Sequence, residues 1–228
     1  MVNMEQERRI LKSQKNVFWE ALVIAVFIFG TGVFIGIWIE TNRASEISDM
    51  YSKSELNLLD VKAQTEILNL QDVNCPQAIK KNIEFGDKVF EDALTLQKYE
   101  DANRITSSLV DRHKEYDLLR TILWINSIKI KAKCNNALHT VVYLYDYLPE
   151  TLEEKSKQEV FSTFLQELKS DKGDDVILIP IARNLDISSL DMLASNYKIN
   201  STSIIVDEKL VITDISNVYK VKSVLNIK

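Results

Sequence analysis

Sulfur and imidazole are the most chemically versatile side-chain groups in this 228-residue chain, and both are scarce. The two cysteines, Cys75 and Cys134, enclose a segment of about 60 residues. Thiol pairs that catalyse exchange usually form a Cys-x-x-Cys motif at the start of a helix, where the thiolate is stabilised. The wide spacing here favours a structural disulfide. A redox-active pair and two free buried thiols stay open as alternatives.

The two histidines form no recognisable metal or acid–base site. His113 lies in a charged stretch of a long predicted helix, where a solvated or half-buried position is expected. His139 opens a predicted strand and has no cysteine or second histidine at metal-ligand spacing. A glycine-rich phosphate loop, a Gly-x-Ser-x-Gly elbow and a His-Glu-x-x-His motif are also missing. We therefore predict no metal, no cofactor and no familiar reaction centre.

The overall composition narrows the class of protein further. The net charge is −5 and no basic patch with interleaved aromatic residues occurs, so nucleic-acid binding is not expected. Five glycines and three prolines are too few for a turn-dense all-β fold. The frequent Ile, Lys and Asn residues are typical of a prokaryote with an AT-rich genome.

The stretch from Val17 to Ile39 is a nearly unbroken apolar run. A helix needs about 20 apolar residues to cross a bilayer, and Trp19 and Trp38 lie where aromatic side chains anchor at its interfaces. The apolar region of a signal peptide is shorter than this run and is followed by a cleavage site made of small residues. The residues that follow the run form no such site. The sequence therefore predicts an uncleaved transmembrane signal-anchor.

Basic residues predict the orientation of this helix, because Lys and Arg stay on the cytoplasmic side. The head, residues 1–16, carries four basic residues near the membrane: Arg8, Arg9, Lys12 and Lys15. The far side begins with three acidic residues and one basic residue: Glu40, Glu46, Asp49 and Arg43. We expect a cytoplasmic head in a cell membrane and a body, residues 40–228, outside the cytoplasm. Disulfides persist there.

The sequence pattern of residues 40–134 predicts a helical region. Apolar residues at helical spacing indicate helices at about 40–72, 77–99 and 104–134. The first is expected to pack on its own neighbours rather than form a dimeric coiled-coil stalk. If the second and third form an antiparallel hairpin, both cysteines lie at its open end.

Residues 135–228 change to a mixed pattern in the order β-α-β-α-β-β-α. The predicted strands are 139–147, 175–182, 203–206 and 209–213, and the predicted helices are about 152–170, 188–197 and from 216 onward. Pro180 implies an edge position or the end of its strand. Gly173 is predicted as a helix cap, and Asp186 or Ser188 as the cap of the next helix.

This order of elements resembles the thioredoxin fold. The local text also looks like that family, since residues 196–206 are similar to its passage from the second helix into the third strand, and Asp207-Glu208-Lys209 resembles its hairpin turn. The resemblance covers residues 135–228 and implies a C-terminal thioredoxin-like mixed sheet with flanking helices. Together with the N-terminal transmembrane helix and the long helical hairpin, it makes an α+β or α/β chain the expected fold class.

Two departures from the family imply that this domain is redox-inactive. The redox cysteines of the family would lie after the first strand, where this chain reads Tyr147 to Thr151 without a cysteine, and Ser203 stands where the family has a cis-proline. Thiol–disulfide exchange requires an attacking sulfur. Asp146 and Glu150 flank the altered site and, with Ser203, are candidates for a partner-facing loop, although a solvated loop is the simpler interpretation.

Together these features favour a membrane-anchored binding, assembly or accessory protein whose partners are the lipid bilayer and another protein or a second copy. The alternative is a membrane-tethered thiol-disulfide oxidoreductase or isomerase that uses Cys75 and Cys134. A signal-relaying sensor would need a separate output partner, since a head of about 16 residues is too short for an output domain. Asn200 begins an Asn-Ser-Thr glycosylation sequon.

Overall fold

A computed structural model describes residues 3–70, 73–102, 107–135 and 138–225 as a mixed α+β protein. Its helices are α1 (Asn3–Asn69), α2 (Cys75–Ala102), α3 (Ser107–Lys133), α4 (Leu152–Lys172), α5 (Ser188–Ser195) and α6 (Lys220–Val224), and its strands are β1 (His139–Tyr145), β2 (Val176–Ala182), β3 (Ser203–Val206) and β4 (Leu210–Ile212). Short 3-10 turns span Gly173–Asp175 and Ile215–Asn217. The predicted α+β class is confirmed.

The chain divides into two units, residues 1–57 and 58–228. The first unit consists of the N-terminal part of α1. Within it, Val17–Ile39 is long and apolar enough to cross a membrane, and all of its side chains are exposed. No proline occurs before Pro76, so no residue in α1 lacks the amide hydrogen that a helix requires.

In the second unit the last turns of α1 pack on α3; the packing predicted for the earlier part of this helix falls on residues 42–55, whose side chains lie outside the description. Val61 and Leu68 are 2% and 5% exposed, and the Thr65 hydroxyl donates to Asn126 Oδ1 at 2.7 Å. The hairpin of α2 and α3 completes this helical layer. Gly86 of α2 lies against the sheet, where a Cβ atom would be 3.4 Å from Ile177 Cγ2.

The four strands form one mixed sheet in the order β2-β1-β3-β4. Strands β1 and β2 are parallel, whereas β3 is antiparallel to both β1 and β4. Successive β1 residues point to opposite sides: Val142 and Leu144 join the core with α2, α3 and α5, and Val141 and Tyr143 join the core with α4 and α6. Both faces are covered, so the strands read as continuous apolar runs.

Strand β2 is an edge strand, as Pro180 predicted. The N–H groups of β2 alternate in direction: that of Arg183, just beyond the strand, donates to Tyr145 O of β1, and that of Ala182 donates to the Asp117 carboxylate. Near the start of the strand, Lys169 Nζ donates to the Val176 carbonyl at 3.1 Å.

The local signals at element ends were partly right. Gly173 caps α4 at φ 53°, as predicted, and Thr151 caps its start by accepting from the Glu154 N–H at 3.2 Å. The predicted cap of α5 was wrong, because Ile187 precedes the helix and no side chain caps it. Asp186 instead bends the chain at φ 53°.

The turn between β3 and β4 is held by buried charges. Asp207 and Glu208 adopt left-handed φ values of 49° and 57°, and the Lys209 N–H donates to the Val206 carbonyl at 3.0 Å, which closes the turn. Lys131 of α3 is 6% exposed and donates to Asp207 Oδ1 at 2.6 Å and to Glu208 Oε2 at 2.7 Å. His139 Nδ1 lies 2.7 Å from Asp207 Oδ2, and the Thr140 N–H donates to Asp207 Oδ1 at 3.0 Å.

This network predicts how stability responds to acid. Burial alone would raise the pKa of Asp207, but hydrogen bonds from Lys131, His139 and the Thr140 N–H outweigh it and lower that pKa below its usual value. A carboxyl with a depressed folded-state pKa stabilises the protein above its unfolded pKa of about 3.9 and loses that contribution as the pH falls through the folded value. The unfolding free energy should therefore drop in this acid range.

Asp207→Asn should be less stable near neutral pH and flatter in acid, because the amide that replaces the carboxyl cannot be protonated there. Urea unfolding in nonionic detergent at several pH values measures both effects. Asp214→Asn is a matched control, since the pKa of this fully exposed carboxyl is also lowered, by the Ser216 N–H, but no buried cation faces it. Equal acid slopes in wild type and Asp207→Asn would contradict the assignment.

Candidate functional site

The two cysteines form a disulfide bond, as predicted, with their Cα atoms 5.6 Å apart. Cys75 is the first residue of α2, and Cys134 follows the last residue of α3. The bond therefore closes the open end of the α2–α3 hairpin. Both cysteines of the chain are used, so the alternative of two free thiols was wrong.

The carboxyl edge of the sheet, where β1 and β2 end, carries the candidate functional site. In parallel sheets this edge is where ligands usually bind. The segment after β1 is fixed here by the segment after β2. The Asn184 side chain accepts from the Tyr147 N–H at 2.7 Å and donates to the Tyr147 carbonyl at 3.0 Å, which continues the strand ladder by one residue. Arg183 Nη2 donates to Asp146 Oδ2 at 2.8 Å.

The structure places the three candidates for a partner-facing loop in different environments. Asp146 is 6% exposed and paired with Arg183, and Ser203 is fully buried in β3 opposite Leu144. Glu150 is exposed. Asp146 and Ser203 therefore do not form a polar rim around the loop, because their side chains point into the body.

Two of the exposed side chains at this loop are apolar. Leu148 is 52% exposed and Leu152, the first residue of α4, is 80% exposed. Leu148 also adopts φ 58°, in the left-handed region that costs a residue with a side chain roughly 1–2 kcal/mol. Pro149 follows it. Nothing in the sequence signals that these leucines are exposed, because Leu148 and Leu152 look like ordinary core residues.

A buried ionic cluster lies beneath the carboxyl edge. Asp117 of α3 is fully buried and accepts from Arg120 Nη1 at 2.7 Å and from the Ala182 N–H at 3.0 Å. His113 Nε2 lies 3.5 Å from Asp117 Oδ2 and 2.7 Å from the Tyr145 hydroxyl oxygen. The expectation that His113 is solvated or half-buried was wrong, since it is 7% exposed.

The cluster is electrostatically coupled. Burial raises the pKa of the Asp117 carboxyl against the opposing effects of Arg120 and His113. Burial alone would lower the pKa of Arg120, but Asp117 and Tyr145 raise it above its usual value. The arrangement ties α3 to the ends of β1 and β2. One sequence signal could have indicated it: His113, Asp117 and Arg120 are spaced at i, i+4 and i+7, so they share one face of the helix.

The other predicted positions show no metal site. Among the described residues, no group of three His, Cys, Asp or Glu side chains could hold a metal ion. His139 instead contacts Asp207 in the cluster that surrounds the Lys131 ammonium group. Asn200 is exposed, whereas Thr202, the third residue of its sequon, is fully buried.

Fold and site thus define an α+β protein that is closed by one disulfide and preceded by a helix apolar enough to cross a membrane. No protein-family description, curated protein or solved structure matches the chain.

The disulfide should contribute substantially to stability, because its loop of about 60 residues restricts the unfolded chain by roughly 3–4 kcal/mol. The double variant Cys75→Ala/Cys134→Ala should lose about that much unfolding free energy in urea titrations. Wild type measured in reductant is the matched control and should unfold at the same urea concentration as the double variant. An unchanged midpoint in the double variant would contradict a stabilising bond.

Arg120→Met leaves the Asp117 carboxylate buried without its cation, which should cost about 3–5 kcal/mol near neutral pH. The deficit should shrink in acid, because a protonated Asp117 is neutral and needs no counter-ion. The double variant Asp117→Asn/Arg120→Met is the control and should lose less than the sum of the two single losses. Additive losses that do not depend on pH would show that the two charges are not coupled.

Proposed function

We propose that this chain is a single-pass membrane protein that acts outside the cytoplasm by binding, as an assembly, accessory or scaffold subunit. The observation that carries the proposal is the fully exposed apolar surface of Val17–Ile39. Soluble proteins rarely expose a contiguous apolar surface of this size. A bilayer supplies the matching apolar environment, and the exposed Trp19 and Trp38 suit its two interfaces.

The charge distribution and the disulfide support the same orientation. The bases before the apolar run favour a cytoplasmic head, and the acids after it favour an exported body. A disulfide is retained in an oxidising compartment and is rare in the cytosol of ordinary cells. The two arguments are independent, because one rests on the charges that flank the apolar run and the other on the bond between Cys75 and Cys134.

The arrangement of the sheet supports a thioredoxin-like body. Such a fold alternates β-α-β-α-β-β-α, and β1 to α6 follow that order. The parallel pair β1–β2 lies beside the antiparallel β3 and β4, with helices on both faces. The loop after β1, where the family has its redox motif, begins with Tyr147 and Leu148 and is fixed by Asn184.

Binding is favoured over catalysis because this body offers no attacking sulfur at that loop. Exchange requires a thiolate, and both sulfurs of the chain are joined at the far end of the α2–α3 hairpin. A rigid loop with exposed leucines is suited to contact with another protein. We therefore propose that the domain is catalytically silent and serves as a binding module.

Topology is tested with reporter fusions in a bacterial host. Alkaline phosphatase requires an oxidising compartment to become active, so the enzyme fused after Lys228 should be active and the same enzyme fused ahead of Met1 should be inactive. Glutamate substitutions at Arg8, Arg9, Lys12 and Lys15 should reduce the activity after Lys228, because the basic flank sets orientation. Lys12→Arg/Lys15→Arg keeps the charge and should have no effect. Activity only in the fusion ahead of Met1 would overturn the proposal.

The oxidoreductase alternative is separated from binding by an insulin-reduction assay on the full chain in detergent. The binding proposal expects no turnover. Turnover that disappears in Cys75→Ala/Cys134→Ala would replace binding with catalysis.

A further inference from the structure

The loop between β1 and α4 is anchored at both ends by hydrogen bonds, although much of it is exposed. Asn184 holds both backbone groups of Tyr147, and Arg183 holds the Asp146 carboxylate. Thr151 then caps α4 through the Glu154 N–H. Residues 148–150 therefore connect two positions that are held by hydrogen bonds. Side chains on such a loop lose little conformational freedom when they bind a partner.

A leucine at position 148 is energetically unfavourable if the loop has no binding partner. Its φ of 58° suits Gly or Asn far better than a branched apolar residue. Its side chain is 52% exposed, so it does not recover the backbone strain through burial in its own core. Leu152, four residues later, is 80% exposed. Strain held at an exposed apolar residue is typical of functional loops.

The charges in the segment from Asp146 to Lys155, which contains these two leucines, are mainly acidic, and Arg183 pairs with the first of them. Glu150 and Glu153 are exposed and Glu154 is half-buried, while Lys155 is the one base between residues 146 and 155. A surface of this kind repels anionic lipid headgroups and attracts cationic groups. It therefore matches a protein segment that carries an apolar side chain next to Lys or Arg.

We propose that Leu148 and Leu152, with the acids Glu150 and Glu153, form a docking surface for a partner protein segment that presents an apolar side chain flanked by basic residues. This inference rests on the proposed binding function and specifies the partner chemistry. The leucines supply the apolar contact, and the glutamates supply orientation and selectivity.

The test is a random-peptide selection on the full chain in nonionic detergent. Enriched peptides should combine a large apolar residue with Lys or Arg, and their affinity should fall as the salt concentration rises. Leu148→Asn keeps the left-handed backbone favourable and removes the apolar side chain. It should weaken an enriched peptide at least about tenfold, as expected at an interface hot spot, without lowering the urea midpoint.

Two further variants complete the test. Glu150→Lys should weaken the same peptide and abolish its salt dependence. Met192→Ser is the matched control, because Met192 is 74% exposed on α5, which packs in the other helical layer, and its loss should change nothing. Absence of enriched peptides, enrichment of acidic ones, or full binding by Leu148→Asn would overturn the docking surface. Binding of the full chain to phosphatidylserine vesicles through Leu148 would also overturn it, in favour of a membrane contact.

The two proposals fail separately. If alkaline phosphatase reports an exported body but the selection fails, the docking surface is wrong and the binding function stands. If the reporter places the body in the cytoplasm, the proposed function is wrong whatever peptides are selected.

Discussion

The buried charges of α3 must be paired, and this constraint organises the body. Asp117 is paired with Arg120 within the helix and accepts from the Ala182 N–H at the end of β2, while Lys131 near the helix end is paired with the β3–β4 turn. A buried ion that loses its partner is strongly destabilising. Sliding α3 along the sheet by one turn would break the bond from Ala182 and separate Lys131 from the turn at once. The helix is therefore fixed in register at its two ends, and apolar contacts fill the space between them.

The helical layer and the sheet depend on each other through this arrangement. Trp124, fully buried at the middle of α3, donates to Glu208 Oε1 at 3.0 Å and stacks on Tyr197. The same α3 receives the last turns of α1 and carries the disulfide to α2 at its end. One element thus connects the disulfide, the hairpin turn and the loop with the exposed leucines. Their positions are coupled because α3 cannot shift without breaking polar contacts at either end.

Sequence reasoning found what local patterns encode. The apolar run, the Gly173 cap, the edge position of Pro180 and the Asp207–Glu208 turn all follow from residue type and neighbours a few positions away. The disulfide was found in another way, because the chain has two cysteines and the predicted hairpin brings them together. The burial of His113, Asp117 and Arg120 does not, because it is produced by strand ends distant in sequence. Likewise β1 ends at Tyr145 rather than Tyr147, since the Asn184 side chain replaces a strand partner there. Ser203 and Asp146 look exposed in the sequence but are covered by such long-range contacts.

The open side of β2 has a consequence for self-association of the protein. An uncovered edge strand is a template on which neighbouring chains can add strands and aggregate. Here Pro180 has no amide hydrogen to offer, Asp117 occupies that of Ala182, and Lys169 occupies the Val176 carbonyl. Copies that meet edge to edge find two backbone groups of this strand already bonded and a third position without an amide hydrogen. The exposed edge of β2 is therefore a poor template for adding a strand from a second copy.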